Sequence, residues 1–259
     1  MKYKAIFFDM DGTLSSLTTH EVPDSAVQAL RMAQQRGVKI FLATGRHPLL
    51  INSIVDTIPF DGYLTSNGQY CYTDREVVLR TTIPQTDKEA MVELLKEEDI
   101  PLMFLTENGL YLNKKDGRVE QGMALLDMPL FDIKDPAVSL EQDIFALLLF
   151  GENTPAEQKL LEQMPGSKAV RWTPIFADII PKVGGKETGM DAMLAHFGIP
   201  IEETMAVGDA HNDIGMLRHA ATGVVMGGAA DEVKAAADYV TDTVEEDGIY
   251  NALKYFGVI

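Results

Sequence analysis

The sequence predicts an α/β fold in which a doubly wound, Rossmann-like parallel sheet is interrupted by an α+β insertion. Short apolar runs alternate with amphipathic helical segments up to about residue 81, and this alternation returns from residue 184. Such alternation is typical of a parallel sheet with helices on both faces. Between these stretches the pattern is irregular over about 100 residues, a length that permits a separate hydrophobic core. We therefore expect a core of residues 1–81 and 184–259 and an inserted domain of residues 82–183.

The first core segment is predicted to run as strand, helix, strand, helix and strand. The apolar run Ile6-Phe7-Phe8 predicts a short buried strand, and Gly37 ends a helix whose apolar residues recur at helical spacing. In order, the predicted elements are a strand over 6–8, a helix over 23–36, a strand over 38–43, a helix over 48–57 and a strand over 62–65.

The insertion and the second core segment differ in their patterns. The insertion is predicted to contain a helix over 87–98, a strand over 101–105, a hairpin-like stretch over 109–119, a strand over 144–150, a helix over 155–163 and a strand over 174–180. The second core segment is predicted to contain helices over 187–197, 212–219 and 230–237, and strands over 204–207, 223–226 and 239–240. Only in the second core segment do helices and strands alternate regularly, as a parallel sheet requires.

Composition restricts the partners and the compartment. A formal net charge of −17 over 259 residues disfavours nucleic acid and anionic membranes as partners. It permits a small phosphorylated substrate, because a metal ion and a few basic side chains can reverse the local field. Cys71 is the only cysteine, so no intrachain disulfide can form, which is typical of the reducing cytoplasm. No apolar run resembles a signal peptide or approaches the ~20 residues of a membrane span. We therefore expect a cytoplasmic protein.

Polar residues follow four of the predicted core strands. Because chemistry in open α/β sheets lies outside the carboxyl ends of parallel strands, these residues are expected to converge on one edge. They are Asp9 and Asp11 after the first strand, Thr44-Gly45-Arg46 after the second, Ser66-Asn67 after the third, and Asp209 with Asn212-Asp213 after the strand over 204–207.

The acids after the first strand point to a metal site. Residues i and i+2 of a strand face the same side, so Asp9 and Asp11 are expected to lie together. Two carboxylates this close are costly without a cation. Oxygen ligands of this kind suit a hard cation, and we expect Mg²⁺.

These motifs resemble those of a known superfamily. The set Asp9-Met10-Asp11-Gly12-Thr13, Thr44-Gly45-Arg46, Lys186 and Gly208-Asp209-Ala210-His211-Asn212-Asp213 is similar to the four motifs of the haloacid dehalogenase superfamily. The position of the insertion, Ser66-Asn67-Gly68 and Glu246-Asp247-Gly248 resemble the Cof-type (subfamily IIB) sugar-phosphate phosphatases. The resemblance implies that the insertion is a cap domain that selects the substrate.

Roles for the four acids follow from this resemblance and from phosphoryl-transfer chemistry. Asp9 would be the nucleophile that forms an aspartyl-phosphate, and it would also bind Mg²⁺. Asp11 would protonate the leaving alkoxide and later deprotonate water, while its backbone carbonyl would bind the metal. Asp209 would be the third protein ligand of the metal. Asp213 would approach the same cation from one helical turn further on, behind the direct ligands.

Other residues would contact the substrate. Thr44 and the Gly45 amide would bind phosphoryl oxygens, and Lys186 would neutralise the transferring group. Lys182 lies close by in sequence, but Lys186 matches the family pattern better because it opens a predicted helix after Gly184-Gly185. Weaker candidates for phosphate, scaffold or substrate contacts are Asn212, Asn67 and Arg46.

The resulting prediction is a Mg²⁺-dependent phosphatase of small phosphorylated metabolites, either sugar phosphates or nucleotides. A sugar-phosphate phosphotransferase related to phosphomannomutases would use the same core, and it would isomerise its substrate and release little free phosphate. A non-catalytic phosphometabolite-binding protein is a third reading, which the presence of both Asp9 and Asp11 disfavours. We expect a monomer or a weak homodimer.

Overall fold

The computed structural model describes residues 2–51, 54, 56–126, 128–152 and 155–259. Its strands are β1 (Ala5–Phe8), β2 (Lys39–Ala43), β3 (Gly62–Thr65), β4 (Tyr70–Tyr72), β5 (Val77–Arg80), β6 (Leu102–Thr106), β7 (Gly109–Leu112), β8 (Ile144–Phe150), β9 (Ser167–Thr173), β10 (Phe176–Pro181), β11 (Thr204–Gly208), β12 (Gly223–Val225) and β13 (Tyr239–Val240). Its α-helices are α1 (Asp24–Gln35), α2 (Gln85–Leu94), α3 (Gly117–Leu125), α4 (Pro155–Gln163), α5 (Lys186–Phe197), α6 (Ile214–His219), α7 (Asp231–Lys234) and α8 (Gly248–Tyr255).

The chain forms two compact units. One, here called the core unit, comprises Met1–Leu79 and Gly185–Ile259, and the other, the inserted unit, comprises Arg80–Gly184. Among the described residues, no helix is both long enough and apolar enough to cross a bilayer.

The core unit is built on an eight-stranded sheet in the order β13-β12-β11-β1-β2-β3-β4-β5. The pairs from β13 to β3 are parallel, and β4 runs antiparallel to β3. In the register of β1, Phe8 lies beside both Leu42 and Val207. The carboxyl ends of β1, β2 and β11 therefore lie side by side, which brings the polar residues after them to one edge.

Helices cover both faces of this sheet. Residues of β1 alternate between two hydrophobic clusters, because successive strand side chains point to opposite faces. Ile6 and Phe8 pack in the cluster that contains α1 and α8, whereas Ala5 and Phe7 pack in the cluster that contains α5 and α6. This arrangement confirms the predicted α/β class with a doubly wound parallel sheet.

The inserted unit has a separate five-stranded sheet in the order β7-β6-β8-β10-β9. All of its pairs are antiparallel. One face packs with Met91 of α2 and Leu160 of α4, and the other packs with Val119 and Met123 of α3. The unit therefore has its own core and an α+β composition.

Several predicted elements differ from the structure. The prediction of a hairpin-like stretch over 109–119 was wrong in its second half, where α3 begins. Asp116 caps this helix by accepting hydrogen bonds from the amides of Arg118 and Val119. The helix over 48–57 begins as a 3₁₀ turn at Pro48–Leu50, and residues 52, 53 and 55 lie outside the described residues. The helix over 230–237 is the single turn α7.

Four further strands and α-helices were missed. Strands β4 and β5 are only three and four residues long, and β9 is an edge strand that carries the charged residues Lys168 and Arg171. Helix α8 did carry a usable signal, because Ile249, Ala252 and Leu253 recur at helical spacing and are buried.

Candidate active site

Backbone hydrogen bonds extend the parallel sheet into the loops that carry the polar residues. The amide of Asp9 donates to the carbonyl of Val207 at 2.9 Å, and the amide of Thr44 donates to the carbonyl of Leu64 at 2.8 Å. Asp209 directly follows Gly208, the last residue of β11. The loops after β1, β2 and β11 therefore start from one fixed edge.

Three acids form a compact cluster at this edge. Carboxylate oxygens of Asp9, Asp209 and Asp213 all lie within 4.8 Å of one another, and Asp9 and Asp213 are buried. A set of oxygen donors of this kind matches the ligand preference of Mg²⁺ and similar hard cations. The cluster is thus able to hold a metal ion.

Lys186 lies inside the acidic cluster. It is the first residue of α5, and its ammonium Nζ is 2.5 Å from Asp9 Oδ1 and 2.6 Å from Asp213 Oδ1. Its side chain is 0% exposed. A buried ammonium that bridges two carboxylates is held in one position, and it brings positive charge directly beside Asp9.

Further hydrogen bonds shape the loop after β11. Asp213 Oδ2 accepts from the amides of Asp209 and Ala210 at 3.0 and 2.9 Å. Both oxygens of Asp213 are therefore engaged, one by the loop and one by Lys186. Thr13 donates its hydroxyl proton to Asp209 Oδ1 at 2.8 Å.

Gly12 permits the close approach of Asp209. Its φ is +83°, in the left-handed region that favours glycine, and a Cβ there would lie 2.4 Å from Asp209 Oδ2. The sequence motif Asp-Met-Asp-Gly-Thr thus supplies Asp9 to the cluster and also contacts Asp209 through Gly12 and Thr13. We had not predicted this contact of Thr13 and Gly12, although both follow Asp11 directly in the motif.

The electrostatics of the cluster favour an additional cation. Burial, reinforced by the nearby Asp213, raises the pKa of Asp9 well above its usual range, and Lys186 only partly opposes this. Burial and Asp213 also raise the pKa of Asp209 to about 7. For Lys186 burial acts the other way, but the carboxylates of Asp213 and Asp9 outweigh it and raise its pKa. Three carboxylates around one ammonium leave excess negative charge, which a divalent cation would neutralise.

The carboxylate of Asp11 contacts Arg46 in a bidentate ion pair. Arg46 Nε donates to Asp11 Oδ2 and Arg46 Nη2 donates to Asp11 Oδ1, both at 2.8 Å. The two side chains are 19% and 23% exposed, so the pair lies at the edge of the site. Two parallel hydrogen bonds of this kind fix orientation as well as distance. Arg46 therefore determines where the Asp11 carboxylate lies.

The remaining predicted residues fall into two groups. Thr44 is buried, and its hydroxyl accepts from the amide of Arg46 at 3.1 Å; Gly45 lies between the two. Asn67 is also buried and accepts a hydrogen bond from Asn212. Lys182, in contrast, is exposed and belongs to the inserted unit.

Comparison with known sequences identifies the family. The sequence model of haloacid dehalogenase-like hydrolases matches residues 6–253. The putative phosphatase YkrA of Bacillus subtilis (strain 168) is 30% identical over 260 residues, which cover 100% of both chains. The 5-amino-6-(5-phospho-D-ribitylamino)uracil phosphatase YcsE of the same organism is 26% identical, with 98% of this chain and 95% of YcsE covered.

Solved structures agree with this result. The HAD subclass IIB sugar phosphatase BT4131 superposes with a TM-score of 0.91 at 39% identity, covering 99% of this chain and 100% of that one. The phosphatase BT1666 from Bacteroides thetaiotaomicron superposes with a TM-score of 0.92 at 36% identity, covering 99% and 96%. The matched residues 6–253 span the positions of Asp9, Asp209 and Asp213. This protein belongs to the haloacid dehalogenase-like hydrolases and is an enzyme of their phosphatase and phosphotransferase type.

Proposed function

We propose that this protein is a Mg²⁺-dependent phosphatase that hydrolyses small phosphorylated metabolites through an aspartyl-phosphate intermediate. The observation that carries the proposal is the contact of the Lys186 ammonium with Asp9 inside the acidic cluster. It places a fixed positive charge beside a carboxylate at the carboxyl edge of the sheet. Phosphoryl transfer depends mainly on positioned charge of this kind.

Asp9 is the nucleophile in this scheme. A carboxylate oxygen of Asp9 bonds to phosphorus as the bond between phosphorus and the leaving oxygen breaks. Lys186 holds Asp9 Oδ1 and draws negative charge from the transferring group, because its ammonium is buried beside it. Thr44 and the Gly45 amide bind phosphoryl oxygens next to it.

Asp11 handles the protons. It gives a proton to the leaving alkoxide, and it later takes one from the water that splits the aspartyl-phosphate. Arg46 holds the Asp11 carboxylate by two hydrogen bonds before substrate arrives. Because Arg46 lies beside Asp11, its guanidinium can also contact an anionic substrate.

The metal ion would be held by the carboxylates of Asp9 and Asp209 and the backbone carbonyl of Asp11. When bound, Mg²⁺ supplies positive charge that neutralises the phosphoryl oxygens. Asp213 orients this set, because one oxygen binds Lys186 and the other fixes the amides of Asp209 and Ala210.

The substrate class follows from charge and from the relatives. The net negative charge of the protein repels a polyanionic macromolecule. The positive charges of Lys186, Arg46 and the metal are local, and they can bind one small phosphate ester. BT4131 is described as a sugar phosphatase, and YcsE as a phosphatase of a ribityl-amino-uracil phosphate. We infer that sugar phosphates and nucleotides are the compounds to test, and that the inserted unit selects among them as a cap.

The test is phosphate release from sugar phosphates, nucleotides and p-nitrophenyl phosphate, with Mg²⁺ or with EDTA. We expect release that requires both Mg²⁺ and Asp9, and that is lost in Asp9→Asn. The same samples are analysed for isomerised sugar phosphate. Isomerisation without free phosphate would favour the phosphotransferase alternative. If no compound yields either free phosphate or an isomerised sugar phosphate, both the phosphatase and the phosphotransferase activity are contradicted.

A further inference from the structure

Gly215 lies in a helix whose backbone does not require glycine there. It is the second residue of α6, which begins directly after Asp213 of the acidic cluster. Glycine is among the least favourable residues in a helix, because it loses more backbone freedom on folding than any other residue. Gly215 is not one of the glycines with a positive φ, so alanine could adopt the same backbone without strain. The physical reason for glycine at this position is therefore a shortage of space.

The Glu187 carboxylate occupies that space. A Cβ on Gly215 would lie 2.3 Å from Glu187 Oε2, which is too close for two real atoms in contact. Glu187 is the second residue of α5 and directly follows Lys186. A Cβ on Gly185, the residue before α5, would lie 2.4 Å from Oε1 of the same carboxylate. The two glycines thus leave a notch between the first turns of α5 and α6, and the Glu187 carboxylate fills this notch.

The same two helix starts are joined by an ion pair of the active site. Lys186 Nζ is 2.6 Å from Asp213 Oδ1, and Asp213 Oδ2 accepts a hydrogen bond from the amide of Asp209. If the first turns of α5 and α6 changed their spacing, both contacts of Asp213 would change with it. A misplacement of about 1 Å can cost about 100-fold in activity when it reaches the reacting groups. The Glu187 carboxylate lies where it can prevent such a change.

We propose that Glu187 is a positioning residue whose carboxylate sets the spacing between the first turns of α5 and α6 and thereby holds Lys186 on Asp213. This rests on the proposed function in that the cation of the acidic cluster is Mg²⁺. Residues behind the direct ligands typically change metal affinity or activity by about 10–100-fold. The effect of Glu187 should therefore appear in Mg²⁺ binding to the substrate-free protein.

The experiment is a double-mutant cycle measured by calorimetric titration of the substrate-free protein with Mg²⁺. Glu187→Ala empties the notch, whereas Gly215→Ala places a methyl group where the carboxylate lies and displaces it. The two substitutions are chemically unrelated, but both remove the same contact. We expect each single variant to weaken Mg²⁺ binding about tenfold, and the double variant to bind no more weakly than Glu187→Ala.

Two further measurements separate positioning from a general loss of stability. Glu187→Gln fills the notch with a side chain of the same shape, so it should bind Mg²⁺ as wild type does. In the Glu187→Ala background the notch is empty, and alanine is a better helix former than glycine. Gly215→Ala should therefore raise Tm by about 2–4 °C in that background, and it should not raise Tm in wild type.

The first turn of α3 supplies matched controls. Gly117 is the first residue of that helix, and a Cβ there would meet nothing within 4 Å. Glu120 is an exposed acid in the same first turn. Gly117→Ala and Glu120→Ala are expected to leave Mg²⁺ binding unchanged.

Three outcomes would overturn the inference. They are unchanged Mg²⁺ binding in Glu187→Ala or in Gly215→Ala, losses that multiply to about 100-fold in the double variant, and binding by Glu187→Gln that is as weak as that of Glu187→Ala. Phosphate release is recorded separately in the same samples. A wild type that shows the expected binding pattern and releases no phosphate would contradict the proposed hydrolysis and leave the role of Glu187 intact.

Discussion

Replacing Lys186 by methionine tests the electrostatic design of the site most directly. The substitution keeps an unbranched side chain of similar length and removes the ammonium that contacts Asp9 and Asp213 at 2.5 and 2.6 Å. Removing one partner of a buried ion pair typically costs about 3–5 kcal/mol, because the other charge stays buried without compensation. For a protein of this size about 1 kcal/mol lowers Tm by about 2–4 °C. We therefore expect Tm to fall by roughly 6–20 °C at pH 8.

The loss should depend on pH in a predictable direction. Burial already raises the pKa of Asp9, and without Lys186 the opposing influence disappears. A carboxyl group whose pKa is raised by folding contributes stability below its unfolded pKa, and this is lost as pH rises through the folded pKa. At low pH Asp9 takes up a proton, so the penalty shrinks. The Lys186→Met variant should consequently be closest to wild type near pH 5 and furthest from it near pH 8.

The assay is thermal unfolding of wild type, Lys186→Met and Lys182→Met between pH 5 and pH 8, with EDTA. Lys182 is the matched control, because it is an exposed lysine close by in sequence. Phosphate release is measured in parallel, and we expect a loss of at least about 10³-fold for Lys186→Met and little change for Lys182→Met. The reasoning would be refuted by a difference in Tm that does not depend on pH, or by an equal effect of the Lys182 variant.

Four further outcomes are expected. Asp9→Asn should abolish phosphate release and leave the fold intact, as judged by thermal unfolding, since it removes the nucleophile. Because the pKa of Asp209 is about 7 and a ligand carboxyl must lose its proton, Mg²⁺ affinity measured by calorimetry should fall as pH drops below about 7. Gly12→Ala should weaken Mg²⁺ binding in the same assay, because its Cβ would displace Asp209; unchanged binding would contradict this. Arg46→Gln should lower kcat by about 10–100-fold through misplacement of Asp11, with stability changed by less than about 1 kcal/mol because the pair is partly exposed.

Much of the fold could be predicted because its signals are local. Strand β1 and helix α1 are specified by apolar runs and by spacing within a few residues. Strand β9 could not be predicted in this way, because its pairing with β10 depends on partners that the local pattern does not specify. Helix α3 was missed within the hairpin-like stretch because its amphipathic pattern is weak and its clearest signal, the Asp116 cap, was overlooked.

For the site, the sequence indicated which residues gather and the structure showed how they are paired. The motifs placed Asp9, Asp209 and Lys186 at one edge, and the structure brings all three together. They did not indicate that Asp11 is held by Arg46, since both residues lie in separate loops and either could have faced solvent.

The α/β class, the interruption of the core and the family could be predicted from the residues alone, because strand ends and motif residues are encoded in short stretches of chain. The contacts of one lysine with both Asp9 and Asp213, and the hydrogen bond from Asn212 to Asn67 across 145 residues of sequence, became visible in the three-dimensional structure alone. Such contacts depend on side-chain directions that arise when distant loops meet at the sheet edge. Local patterns carry no information about those directions, and the charge balance of the site follows from them.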